Sequence, residues 1–425
     1  MKILFHLYNL SFILYNFGTM LLNRGKMLAR QVLVRAMHAR AATRNRKGKR
    51  PGEIKRILVI RPDHLGDLLF ATPALALIRQ SFPEAHITGA VAPWGRAMWE
   101  DNPDLDTLVT IPFPGIAGHK QGGPLAPYRM LGEVAKKLAR ERYDLGIALR
   151  FDHWWGAALM WVAGIPQRWG YDTPGMGAWL AGKVAYVSGR HEVEQNVRLV
   201  EGVLRRVGAG HSPPLQVHRN QGKPSLRSPS PTPPPNAEEL LGEWQEARHR
   251  VVIHPGTGAA NKLWTIAGWA EVVNNLRAQG WQVALTGSPG ERKLVDAIAS
   301  ACNSVGAWRA MPLQGDLLNL VEKTASLGEL TWVLSQAHLV LGVDSGPLHI
   351  AASLGKPTLH LYGPSDETIW GPWGDPDKHR VLRAPGTRPT MRLEVGSHAL
   401  EGGPEMQAIT PELVMAEVEG LMRDA

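Results

Sequence analysis

HLVLGVDSGPLHIAASLGKPTLHLYGPSD, residues 338–366, is the stretch whose reading decides the fold. HLVLGV is a short apolar run with two valines, the pattern of a buried strand. Asp344, Ser345 and Gly346 form a turn, and Pro347 fits the first helical turn, where its missing N–H costs nothing. Leu348 to Leu354 reads as a small-residue helix closed by Gly355. Thr358 to Tyr362 is a second strand, ended by Gly363-Pro364. Strand, turn, helix, strand is a βαβ unit. Its turn lies where a strand's carboxyl end meets a helix N-terminus, a setting in which free N–H groups and the positive dipole end favour a phosphate. A plain structural turn in an α/β protein has the same pattern, so the stretch by itself leaves both readings open.

Working outward, Val251 to His254 is a strand followed by PGTGAANKLW, residues 255–264. Thr265 can N-cap a helix from Ile266 to Gln279, with Gly280 as its C′ residue. A Gly/Thr loop carrying a lysine ahead of a helix is a reasonable phosphate cradle. It lacks the Gly-Lys-Ser/Thr tripeptide of P-loop NTPases. Trp281 to Thr286 is the next strand, GSPGE (287–291) caps it, and a helix runs from Arg292 to Ala301. Leu330 to Gln336 is a helix leading into His338, and Pro411 to Met422 is a terminal amphipathic helix.

The N-terminal half alternates in the same way. Ile57 to Ile60 is a compact strand, RPDHLGD (61–67) a loop, and Asp67 to Ser81 a helix with apolar residues at Leu68, Leu69, Leu75 and Ile78. Strands are expected at Ala85 to Val91, Leu105 to Ile111 and Leu145 to Leu149, and helices at Leu131 to Arg142 and Asn196 to Gly208. Pro112 to Pro127 reads as a long loop bordering a binding site. Such alternation means a parallel sheet covered on both faces. Arg150 and Arg168 can contact an anionic ligand or lie solvated on the surface. Lys223 to Pro235 (KPSLRSPSPTPPP) has little to bury and reads as a flexible or extended linker, with a short helix after it from Glu238 to Ala247.

The chain has 425 residues, enough for two domains, with 44% hydrophobic and 20% charged residues. Its single cysteine, Cys302, excludes an internal disulfide framework and fits a reducing compartment. The net charge of +9 belongs to one end: residues 1–56 hold thirteen Lys and Arg against Glu53, while the remainder holds 34 basic against 37 acidic residues. That argues against nucleic acid, which needs a basic face on a folded domain. Ile3 to Leu22 carries no Lys, Arg, Asp or Glu and reads as a helix with a broad apolar face, able to lie in a membrane interface or to span. Arg24 to Arg56 is polybasic, attracted to anionic headgroups and held on the cytoplasmic side. A cleaved signal peptide fits poorly with the basic stretch that follows, and Met27 is an alternative start.

ILVIRPDHLGDLLFATPALALIRQSFPEAHI, with Leu65-Gly66-Asp67 and Thr72-Pro73-Ala74-Leu75, resembles the N-terminal signature of glycosyltransferase family 9, the ADP-heptose:lipopolysaccharide heptosyltransferases. The family's loop often carries hydroxyl residues where this chain has Asp63 and His64. Farther on, WWGAALMWVAGIPQRWGY (154–171) resembles the family too, and so does the quartet Asp344-Ser345-Gly346, His349, Gly355-Lys356-Pro357 and Gly363-Pro364-Ser365-Asp366. Each piece is weak alone, but the ordered set is specific. The resemblance covers roughly Ile54 to Met422.

This resemblance implies an α/β fold of GT-B architecture, two Rossmann-like domains facing a cleft, with donor on the second and acceptor on the first. The expected layout is an apolar and polybasic arm over 1–53, an acceptor domain over 54–215, a linker over 216–248, and a donor domain over 249–409. A C-terminal helix over 410–425 is expected to cross back to the first domain. The resemblance also gives roles. Asp67 matches the proposed general base, with Asp63 as fallback; on local sequence alone an ordinary helix-start Asp is the preferred reading of Asp67. Lys262, two before Trp264, and Thr257 with Gly258 match donor-diphosphate contacts. Glu291 matches an acidic grip on the donor ribose. Asp344, Ser345, Gly346 and His349 complete the donor site. The implied reaction is direct displacement with inversion. Lys262, Thr257 and the helix N-terminus would hold the leaving diphosphate, so that neither metal nor cofactor is needed. The implied partners are ADP-heptose, a lipid-linked saccharide such as the lipopolysaccharide core, and an anionic membrane surface through residues 1–56. The expected place is peripheral, on the cytoplasmic face of the inner membrane. Two other readings stay open: the same fold with another nucleotide-sugar or acceptor, and a membrane-tethered nucleotide-sugar-binding protein without turnover.

Overall fold

A computed structural model describes residues 53–116, 125–208, 219–220, 223–238, 249–306, 317–394 and 400–423. The apolar and polybasic arm, most of the expected helix at Glu238 to Ala247, and the middle of the Pro112 to Pro127 loop lie outside these residues.

The first half runs β1 (Arg56–Arg61), α1 (Leu65–Phe70), α2 (Thr72–Ser81), β2 (His86–Val91), α3 (Arg96–Trp99), β3 (Thr107–Thr110), α4 (Ala126–Arg140), β4 (Leu145–Ala148), α5 (Trp154–Val162), β5 (Gln167–Tyr171), β6 (Gly182–Val184) and α6 (Glu192–Val207). A small antiparallel hairpin, β7 (Arg219–Asn220) with β8 (Lys223–Pro224), follows. The second half runs β9 (Arg250–His254), α7 (Ile266–Ala278), β10 (Gln282–Leu285), α8 (Arg292–Gly306), β11 (Leu317–Asn319), α9 (Leu327–Gln336), β12 (Leu339–Val343), α10 (Gly346–Ser353), β13 (Thr358–Tyr362), α11 (Glu367–Trp370), β14 (His379–Arg383), α12 (Pro404–Gln407) and α13 (Pro411–Arg423).

Both halves build six-stranded, all-parallel sheets, ordered β3-β2-β1-β4-β5-β6 and β11-β10-β9-β12-β13-β14. The direction of strand addition reverses beside β1 in one and beside β9 in the other. Crevices open at the strands' carboxyl ends at such switch points. This is the expected GT-B pair of Rossmann-like units. Central strands are buried on both faces: Ile57 to Ile60 in β1 and Val251 to Ile253 in β9 are at most 1% exposed.

Local departures have local causes. The single helix expected from Asp67 to Ser81 is two, broken at Ala71, because Pro73 has no N–H to continue the ladder and Thr72 Oγ1 turns back to donate to Leu69 O at 2.7 Å. α1 starts two residues early, which puts Asp67 third in its first turn. α6 starts at Glu192, four residues before the expected point, capped by His191, whose Nδ1 accepts from Val193 N at 3.2 Å.

One apolar cluster runs through both halves. It joins Leu68, Leu75 and Val200 of the first to Val333, Leu348 and Ile350 of the second. A smaller cluster joins Phe70 and Val193 to Trp373. The described part of the Pro-rich linker is extended and fastened at both ends. Arg227 N donates to Thr72 Oγ1 at 3.0 Å, its guanidinium pairs with Asp104 at 3.2 Å, and Thr232 N donates to Gly328 O at 3.1 Å. The expectation that the last helix crosses to the first domain is corrected. Val414, Met415, Val418 and Leu421 of α13 pack in the second half's own core with Trp264, Val272 and Leu382, and Glu417 pairs with Arg380 at 3.1 Å. Its apolar stripe finds partners where the chain already is. Among the described residues no helix is long and apolar enough to cross a membrane.

Candidate active site

In the first half the site is the loop and helix after β1. Asp67 sits in the first turn of α1, and its side chain is 23% exposed. Arg61, the last residue of β1, reaches it with Nη2 3.5 Å from Asp67 Oδ1. Arg61 is itself buried. It pairs with Asp63 at 2.5 Å and Glu192 at 3.0 Å, and donates to Asn196 Oδ1 at 2.9 Å and Leu149 O at 2.8 Å. Burial opposes its charge, but the carboxylates of Glu192 and Asp67 outweigh that, and the guanidinium is held above its ordinary value. The fallback base is corrected here. Asp63 is 1% exposed and clamped between Arg61 and Arg150, so it faces no acceptor.

Two arginines also find other work. Arg168 is buried and donates to the backbone oxygens of Trp179 at 2.9 Å and Ile165 at 2.6 Å, so it is neither an acceptor contact nor a surface group. Arg150 is held by Asp63 and by Asp152 at 2.5 Å. Nearby, His153 caps α5 with Nδ1 accepting from Gly156 N, while Nε2 meets Pro114 O at 3.3 Å. Burial and the adjacent Arg150 lower its pKa to about 4, which keeps the ring neutral in that role.

In the second half, three of the expected residues converge on Asp344, just past the end of β12. Lys262 Nζ lies 2.9 Å from Asp344 Oδ2, Thr257 Oγ1 donates to Asp344 O at 3.1 Å, and His349 Nε2 is 3.4 Å from Oδ1. Tyr362 OH adds a contact at 3.2 Å. Burial works against the carboxylate, but Lys262 and His349 outweigh it and hold Asp344 well below the usual carboxylate range. Ser345 is the N-cap residue of α10 without using its hydroxyl. Its Oγ and His349 Nδ1 are buried with no hydrogen-bond partner among the described residues. Gly346 opens the helix, and Gly258 is exposed with open space around it.

Glu291 stands beside this group. Its Oε2 accepts from Ser288 N at 2.7 Å and from Ser288 Oγ at 2.8 Å, and the carboxylate lies against Gly256, where a Cβ would overlap it. Trp264 is fully buried and donates to Ile409 O at 3.0 Å, a core peg and not a ligand contact. Among the described residues no set of three His, Cys, Asp or Glu side chains gathers as a metal site.

The two half-sites meet. A Cβ on Gly346 would lie 3.0 Å from Leu65 Cβ and 3.5 Å from Gly66 N, and one on Gly66 would lie 3.2 Å from His349 Cδ2. Phe70 meets the His349 ring edge-on at 4.8 Å and the His191 ring at 5.0 Å. His191 reaches Gly371 O at 3.0 Å.

The family description "Glycosyltransferase family 9 (heptosyltransferase)" matches residues 131–394, more than half of the chain. The chain belongs to glycosyltransferase family 9. As a family 9 glycosyltransferase it is similar to lipopolysaccharide heptosyltransferase 3 of Escherichia coli K12, with 28% identity over 324 residues, 72% of this chain and 82% of that protein. Lipopolysaccharide heptosyltransferase 2 of Salmonella typhimurium is 26% identical over 389 residues, 87% of this chain and 99% of that one. The fold is shared with the crystal structure of a family 9 glycosyl transferase from Veillonella parvula, at TM-score 0.64, 20% identity, and coverage of 87% and 98%. It is also shared with E. coli ADP-heptose lps heptosyltransferase II, at TM-score 0.62, 21% identity, and coverage of 87% and 100%.

Three contributors escaped the sequence reading: Arg61, Glu192 and Tyr362. Arg61 and Tyr362 end strands whose apolar residues dominated their interpretation. Glu192 lies 131 positions from its partner, and only folding reveals that pair.

Proposed function

We propose that this glycosyltransferase moves a heptose from ADP-heptose to a lipid-linked saccharide such as the lipopolysaccharide core, with inversion at the anomeric carbon. Asp67 accepts the proton of the acceptor hydroxyl as that oxygen attacks. The C–O bond to the diphosphate breaks, and Lys262, Thr257 and the N–H groups opening α10 stabilise the departing ADP. The hydroxyl of Ser345 and Nδ1 of His349, buried without partners, add polar atoms at that end. Glu291 accepts from the donor ribose hydroxyls.

One observation carries the reading: the helix start bearing Asp67 and the helix start after Asp344 abut at Gly66 and Gly346. An acceptor on one half and a donor on the other are thereby brought together. The heptose and lipopolysaccharide assignments rest on the relatives' names. Residues 1–56 supply attachment to the cytoplasmic face of the inner membrane. The test is ADP release from ADP-heptose compared with UDP- and GDP-sugars, with the product's anomeric configuration read by NMR. Turnover of only a non-heptose donor, or a retained configuration, refutes the assignment. For attachment, the full chain should sediment with anionic liposomes and the chain from Lys55 should not.

A further inference from the structure

Arg61 is bound more elaborately than a buried cation needs. Desolvating a guanidinium costs several kcal/mol, and a well-placed carboxylate with good hydrogen bonds can offset it. Arg61, 3% exposed, has a carboxylate in Asp63, in ion contact with Nε at 2.5 Å without hydrogen-bond geometry, and it donates through Nη1 to Leu149 O and Asn196 Oδ1. Asp63 has a second cation in Arg150. The remaining nitrogen, Nη2, is divided. It donates to Glu192 Oε2 at 3.0 Å and faces Asp67 Oδ1 at 3.5 Å. Of the three carboxylates, Asp63 and Glu192 are 1% and 3% exposed, and only Asp67, at 23%, opens toward solvent. Glu192 is fixed from its other side by Tyr186 OH at 3.3 Å.

Resting on the reading of Asp67 as base, we propose that Arg61 is a positioning residue. It aims the Asp67 carboxylate at the acceptor, and Glu192, by sharing Nη2, sets how tightly Arg61 holds it. A carboxylate with no tether samples unproductive rotamers, and one gripped by a full bidentate pair is a poor proton acceptor. The division of one nitrogen between two carboxylates gives an intermediate hold. A lysine cannot reproduce this, because its single ammonium lacks the planar fork.

The test uses the full chain with ADP-heptose as donor, measuring kcat, the Kd of ADP and Tm. It covers Arg61→Lys, Arg61→Met and Glu192→Gln, each also in an Asp67→Asn background. Arg61→Lys and Glu192→Gln should lower kcat, the first by roughly tenfold or more, and leave the Kd of ADP unchanged. Neither should lower kcat further once Asp67 is Asn. If Arg61→Met does not fold, the two conservative variants decide. Unchanged kcat in both overturns the proposal, as does a loss that recurs in full in the Asp67→Asn background. If Asp67→Asn itself turns over at the wild-type rate, the base reading has failed first and the positioning role falls with it.

Discussion

Lys262 Nζ and Asp344 Oδ2 stand 2.9 Å apart, a lysine from the loop after β9 meeting an aspartate from the end of β12. The side chains are 15% and 10% exposed, so neither charge is well hydrated. Removing one partner of such a pair leaves the other buried and uncompensated. Lys262→Met should therefore cost about 3–5 kcal/mol of stability, measured by urea unfolding. It should also weaken ADP binding beyond detection by calorimetry. A stable variant with normal ADP affinity would take Lys262 out of the donor site.

The same pair sets an acid limit. Asp344 is held below its ordinary range in the folded chain. Its contribution is thus present in full above the unfolded carboxylate value of about 4 and decays as pH falls below it toward the folded value. The stability gap between wild type and Lys262→Met should shrink between pH 6 and pH 3. A gap constant over that window contradicts the pairing.

Two aspartates four residues apart should fail differently. Asp67→Asn should lower kcat by about 100- to 10,000-fold with Tm and ADP affinity preserved. Asp63→Asn, cut from two arginines, should lower stability by about 3–5 kcal/mol. Equal Tm losses in the two variants would erase the distinction between them.

Gly256 is needed small. A methyl group there overlaps the Glu291 carboxylate, which Ser288 fixes from behind. Gly256→Ala should weaken ADP roughly tenfold by displacing Glu291, and Glu291→Gln should do the same with less effect on Tm. If ADP binds Glu291→Gln as tightly as wild type, the ribose assignment is wrong.

His191 serves both halves, capping α6 through Nδ1 and donating from Nε2 to Gly371 O. His191→Ala should cost about 1 kcal/mol for the cap alone and more with the cross-contact. Differential scanning calorimetry can read the sum.

Much of this was legible because it is periodic or short-range. The βαβ unit over 338–366 formed where its glycines and apolar runs placed it: β13 spans Thr358–Tyr362, and Gly355 takes φ +74° after the helix. Thr265 caps α7 as its hydroxyl allows, accepting from Gly268 N. The helix break at Ala71 was missed because the apolar spacing of Leu68, Leu69, Leu75 and Ile78 continues across Pro73. β14 (Arg380 and Arg383 among its five residues) was missed because its charges hide a strand paired on one edge only. Arg168 misled because an arginine's stem and fork can bury against carbonyl oxygens with no carboxylate in reach. The C-terminal helix was misplaced by analogy, while its stripe of Val414, Val418 and Leu421 carries no address for one half over the other.

Leu68, Leu348 and their neighbours belong to a single cluster spanning both lobes. Each lobe keeps an apolar core of its own and shares this one with the other. Expressed separately, each would present to water a greasy face meant for its twin. The intact chain should lose its structure in one cooperative melt, and a proteolytic nick in the linker should leave the fragments clinging together as a pair.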